Sequence, residues 1–175
     1  MRANSLILQV TLSCLLMFTA WGKEPMRGPL PAEQRAIIQF LADHHAELKR
    51  KVDMRKDGYA ATTTTENKEL AAKLKEHFAY MHKRLGSGAM VRRWDPAFAE
   101  FVEYHDRITT RIEQLENGVR VVVVGKTPEA VKVAQNHARI ITGFTKQGAE
   151  AVHQEHKPAL GEGKGDEKAR PRRGR

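Results

Sequence analysis

At 175 residues the chain has the length of one domain, or of two halves that share a core. Its single cysteine excludes an internal disulfide framework and any multi-thiolate metal site. The net charge of +9 is uneven: Arg2 contributes +1 and Lys157 to Arg175 +4, from seven Lys or Arg against three Asp or Glu, which leaves +4 on the body.

The N-terminus sets the address. Arg2 precedes an apolar run from Ser5 to Trp21, and Ala20-Trp21-Gly22 places small residues around a cut before Lys23. The run falls short of the roughly 20 apolar residues a spanning helix needs, so 1–22 reads as a signal peptide and the protein as periplasmic or secreted. Cys14 lies inside that run and would leave with it, so covalent c-type haem and a cysteine nucleophile are excluded as well.

Residues 23–31 (KEPMRGPLP) form a Pro/Gly linker, and Pro31 suits a helix start. From Ala32, the apolar residues Ile38, Leu41, Leu48 and Val52 predict one long helix with His45 on its inward stripe. Lys56-Asp57-Gly58 ends it, and Tyr59 to Thr65 reads as a β-rich strand. Asn67 caps a second helix with Glu69 in its first turn; Leu70, Leu74, His77 and Met81 face inward, and Gly86-Ser87-Gly88 stops it.

Asp95-Pro96 opens the second half. Phe98, Phe101, Ile108, Ile112 and Leu115 predict another long helix, again with His105 on the stripe, ending at Asn117-Gly118. Val119 to Val124 (VRVVVV) is the strongest strand in the chain. Thr127-Pro128-Glu129 is a cap, a first-turn proline and an acid, opening a helix whose Val131, Ala134, His137, Ala138 and Ile141 face inward. A short helix follows Gly148 towards His156, and 157–175 reads as a disordered basic tail.

The two halves match at an offset of 60 without a gap: His45 over His105, Gly58 over Gly118, Glu69 over Glu129, His77 over His137 and Gly88 over Gly148. Five identities are near chance, but the order of roles repeats, which indicates an internal duplication. The expected fold is α+β. Two tandem α-β-α units, about 37–88 and 97–148 within a single domain 32–156, would be related by a pseudo-twofold axis, with a two-stranded antiparallel ribbon packed by four main helices.

Four histidines hold equivalent inward places: His45, His77, His105 and His137. Imidazole ligates both metals and haem iron, so these side chains could converge on a transition metal or a non-covalent haem, with His44 and the thioether of Met81 as secondary ligands. The alternative is a structural or protein-interaction module in which each ring bonds a backbone carbonyl in the core. His82, His153 and His156 have no repeat partner and read as solvated, as do Glu100 and Glu103. No zinc-protease, di-iron, phosphate-loop or serine-hydrolase signature occurs, so no reaction is specified and a non-enzyme is the simpler reading. The basic tail would meet an anionic envelope surface; nucleic acid does not suit an exported protein, whereas a homo-oligomer or a protein partner is compatible with it.

The second-half pattern of Gly118-Val119, a β-run, Thr127-Pro128-Glu129, Gln135-x-His137-Ala138 and Gly148 resembles a group of exported bacterial proteins with a duplicated unit and no established function. The likeness spans Ile38 to Gly148. The first half departs from it with Tyr59 in place of Val and Asn67-Lys68 in place of Thr-Pro. It implies a shared fold and a periplasmic address.

Overall fold

The computed structural model describes residue 26 and residues 28–161; the segment read as a signal peptide, and the tail beyond 161, lie outside the described residues. Helix α1 (Ala32–Asp43) leads through a 3-10 turn (His45–Glu47) into strands β1 (Lys49–Arg55) and β2 (Gly58–Thr64), then helix α2 (Lys68–Gly86). The second half has the same order: α3 (Pro96–Glu103), a 3-10 turn (His105–Arg107), β3 (Ile108–Leu115), β4 (Gly118–Gly125) and α4 (Pro128–Gln147), closed by the short α5 (Ala149–Val152). The result is a mixed α+β fold with one antiparallel sheet in the order β1-β2-β4-β3.

Three helix starts lie where their caps predict. Asn67 accepts from the amides of Glu69 and Leu70, Asp95 from Ala97, and Thr127 from Ala130. The two long helices expected from Ala32 and Pro96 do not form, and the expected ribbon of two strands is a sheet of four. Each helix stops at a non-helical residue, His44 (φ −103°, ψ 20°) or Tyr104 (φ −94°, ψ 9°), and the chain re-forms as a strand. Leu48 to Val52 and Ile108 to Ile112 are spacings of four, which put residues on one face of a strand as well as of a helix. The β-branched run Ile108-Thr109-Thr110 favours the strand. Asp57-Gly58 and Asn117-Gly118, taken for helix ends, lie instead at hairpins: Lys56-Asp57 and Glu116-Asn117 are two-residue connections, with Arg55 paired to Gly58 and Leu115 to Gly118.

The central pair fixes the register. β2 and β4 run antiparallel with Gly58 opposite Val124, Ala61 opposite Val121 and Thr64 opposite Gly118. A Cβ on Gly58 would collide with the Val123 carbonyl, and one on Gly118 with the Thr63 carbonyl, so both ends of this pairing need glycine for close approach.

The sheet has one packed face. Tyr59, Ala61, Thr63, Val119, Val121 and Val123 are buried, and α2 and α4 lie against the strands. The opposite face carries Lys49, Lys51, Asp53, Arg111, Glu113 and Arg120, all exposed. No described helix is long and apolar enough to cross a membrane.

Residues counted with the disordered tail are partly ordered. The amides of Ala159 and Leu160 donate to the two oxygens of Glu100, at 2.6 and 3.0 Å. Glu100 is therefore buried, not solvated as its helical spacing suggested. His156, also expected on a solvated face, places Nδ1 2.8 Å from the fully buried Asp95 carboxylate.

Candidate functional site

Between the packed face of the sheet and the helices lies a cavity of about 980 Å³. Protein interiors are normally close-packed, with few voids larger than a water molecule, whereas small-molecule sites occupy roughly 300–1,000 Å³. Its walls are mainly apolar: Ile38 and Leu41 from α1, Leu74 and Met81 from α2, Ile112 from β3 and Ile141 from α4. Its polar groups include Arg50, Tyr59, Thr63, His77 and His137, and Arg35, Arg84, Arg92 and Arg93 also border it.

His77, on α2, is enclosed by protein except where its ring borders the cavity. Its Nδ1 is buried without a hydrogen-bond partner among the described residues. Burial lowers its pKa to about 4, which keeps the imidazole neutral. His137, one turn beyond Val133 and Ala134 on α4, sits between two aromatic rings, 4.3 Å from Phe101 and 5.3 Å edge-on to Phe98. Burial, and then the positive charge of Arg50, lower its pKa to about 4.

The other pair does different work. His45 and His105 begin the two 3-10 turns, not the middles of long helices as their stripe positions suggested. The His105 Nδ1–H donates to the Val102 carbonyl at 2.8 Å, and its ring lies against Gly88. His45 Nδ1 is 3.4 Å from the Thr145 carbonyl, with its ring against Gly148. Both glycines have positive φ, +70° at Gly88 and +59° at Gly148, so each backbone bend that admits a ring needs glycine.

The structure therefore brings His77, His105 and His137 to the cavity wall, while His45 is not part of that wall. The secondary candidates separate too: Met81 lines the cavity, whereas His44 bonds the Phe40 carbonyl at 2.9 Å and packs on the Phe40 ring. Among the described residues no group of three or more His, Cys, Asp or Glu side chains is placed to hold a metal ion.

Sequence reasoning passed over two groups. Arg50 lies on the packed face of β1, donating from Nε to Thr142 Oγ1 at 3.3 Å and from Nη1 to Thr63 Oγ1 at 2.8 Å. Burial lowers its pKa below the ordinary guanidinium value. Tyr59 is 3% exposed, and burial raises its phenol to about 12, so it stays an un-ionised donor. Alternation in Arg50-Lys51-Val52 marks Arg50 as inward-facing once β1 is taken as a strand.

In comparisons with protein-family models, curated proteins and solved structures, the chain matches none.

Proposed function

We propose that this protein is a binding module, not an enzyme, and that its cavity receives a predominantly apolar small molecule. One observation carries the reading: a cavity of about 980 Å³ in so small a protein, its wall mainly apolar. His77 and His137 are neutral and border the space, so each can meet a ligand's polar atom or, if the ligand is haem, its iron. His45 belongs to the framework, and His105 bonds the framework through Val102 while one side of its ring borders the space. The apolar leader places the module outside the cytoplasm, and the basic tail would hold it near anionic envelope surfaces.

The same proposal takes the two halves as a duplicated α-β-β-α unit about a pseudo-twofold axis at the Ala61–Val121 pair. Contacts exchanged between halves support it. His45 against Gly148 corresponds to His105 against Gly88, and Arg50 with Thr142 corresponds to Thr110 with His82, each residue shifted by 60. Lys75 reaches the Glu116 carbonyl across the second hairpin as Gln135 reaches Arg55 across the first.

Trp94 borders the cavity and is the one tryptophan beyond the leader, so its fluorescence reports occupancy. Titration with Nile red, a neutral apolar dye, is expected to saturate with enhanced dye emission and altered Trp94 emission. Ile141→Trp, which fills the space, is expected to weaken dye binding about tenfold or more without loss of the thermal transition. Haem added separately is read by its Soret shift. A wild-type protein that takes up neither dye nor haem sinks the reading.

A further inference from the structure

We propose that the ligand is an amphipathic carboxylic acid of the long-chain fatty-acid type, its carboxylate held by Arg50 and its hydrocarbon body filling the cavity. This deepens the binding-module reading and rests on it.

Among the described residues five arginines border the cavity; Arg35 and Arg93 are exposed to solvent, and Arg50 differs from Arg84 and Arg92 in its partners. Arg92 lies 3.3 Å from the Asp95 carboxylate, though out of line for a hydrogen bond from Nε, and its guanidinium stacks 4.2 Å above the Trp94 ring. Arg84 is buried but covered by oxygen acceptors: the Met90 and Gly28 carbonyls and the Tyr80 hydroxyl. Arg50 meets two threonine hydroxyls and, among the described residues, forms no salt bridge. The Thr142 hydroxyl hydrogen is already donated to the Ala138 carbonyl at 2.8 Å, which leaves its oxygen to accept from Arg50. Two of the five N–H groups of Arg50 are engaged this way, and neither acceptor carries charge.

The groups around it do not neutralise it either. Tyr59, His77 and His137 share the cavity and are all uncharged at neutral pH. A cation removed from water without a counter-charge is unfavourable, and a bound anion relieves that. The guanidinium fork matches a carboxylate in two parallel hydrogen bonds. Arg50 is the buried guanidinium on this wall that meets only neutral hydroxyls, and one such fork among apolar side chains suits one carboxylate on a long hydrocarbon.

The test compares three probes on the purified protein: hexadecanoate, hexadecanol and methyl hexadecanoate, each displacing Nile red. Hexadecanoate is expected to bind about tenfold or more tightly than the other two. Arg50→Met is expected to bring hexadecanoate down to the level of hexadecanol measured in the same variant, so that the acid loses about tenfold more than the alcohol. Arg50→Lys, which keeps the charge but not the fork, is expected to fall between, and circular dichroism melting confirms that both variants are folded. Equal binding of acid, alcohol and ester to the wild type overturns the assignment with the cavity reading intact, and needs no variant. Equal losses for acid and alcohol in a folded Arg50→Met also overturn it. Failure of every probe, the dye and haem included, overturns both readings together, and uptake of haem with failure of the dye and all three lipids overturns the carboxylic-acid assignment alone.

Discussion

The four histidines His45, His77, His105 and His137 divide into two pairs. His45 and His105 sit at the helix-to-strand joints, each beside a glycine of positive φ and each with a backbone carbonyl near its Nδ1. His77 and His137 sit on the long helices against the cavity; His77 keeps an orphaned nitrogen and His137 is held by aromatic rings. The residue type is the same, but the surroundings decide whether an imidazole is a clamp or part of a binding wall. A ring with a carbonyl to bond locks the backbone, and a ring among apolar side chains loses its charge and waits for a partner.

Acid should separate the pairs most strongly. His77 and His137 have folded pKa values lowered from 6.5 to about 4, so between those values the unfolded chain binds more protons than the folded one. Stability is therefore full above about pH 6.5 and falls as pH drops towards 4, by on the order of 3 kcal/mol per ring. Urea unfolding across that range measures it. The double variant His77→Leu with His137→Phe should flatten much of the slope; a slope that the double variant leaves unchanged breaks the comparison.

Next in size is a difference between the two glycine clamps. A Cβ at Gly148 runs into both the His45 ring and the Ala42 carbonyl, while one at Gly88 meets only the His105 ring, at 3.0 Å. Gly148→Ala should therefore lose about 3 kcal/mol and Gly88→Ala about 1 kcal/mol, the latter mainly the positive-φ term. Equal losses in denaturant titrations would show that the side-chain clamp contributes nothing.

The smallest effects have opposite signs. His105→Leu removes the bond to the Val102 carbonyl and should destabilise by about 1 to 2 kcal/mol. His77→Leu removes a buried nitrogen without a partner and should be neutral or stabilising by up to about 1 kcal/mol. If calorimetry finds His77→Leu the more damaging of the two, His77 has a structural bond in solution and the division of the histidines fails.

Much of the frame is written locally. Asn67, Asp95 and Thr127 announce their helices because a cap is a contact between residues two or three apart, independent of the rest of the fold. The repeat of roles at an offset of 60 is likewise visible without coordinates. The strands β1 and β3 were hidden because a few apolar residues four apart satisfy both periodicities. Only the pairing of Lys49 with Thr64 and Ile108 with Gly125 resolves the ambiguity. Glu100 and His156 looked solvated because their partners, Leu160 and Asp95, lie about 60 positions away along the chain.

The sequence by itself determined the helix starts, the glycine-marked turns and the inward placement of His77 and His137, since these follow from backbone preferences and periodicity over a few residues. The tertiary structure alone decided that four strands form one sheet, that a cavity remains beneath it, and that Arg50 faces that cavity without a carboxylate. Volume and charge compensation are properties of what several distant segments leave between them, and no local stretch of chain encodes the sum.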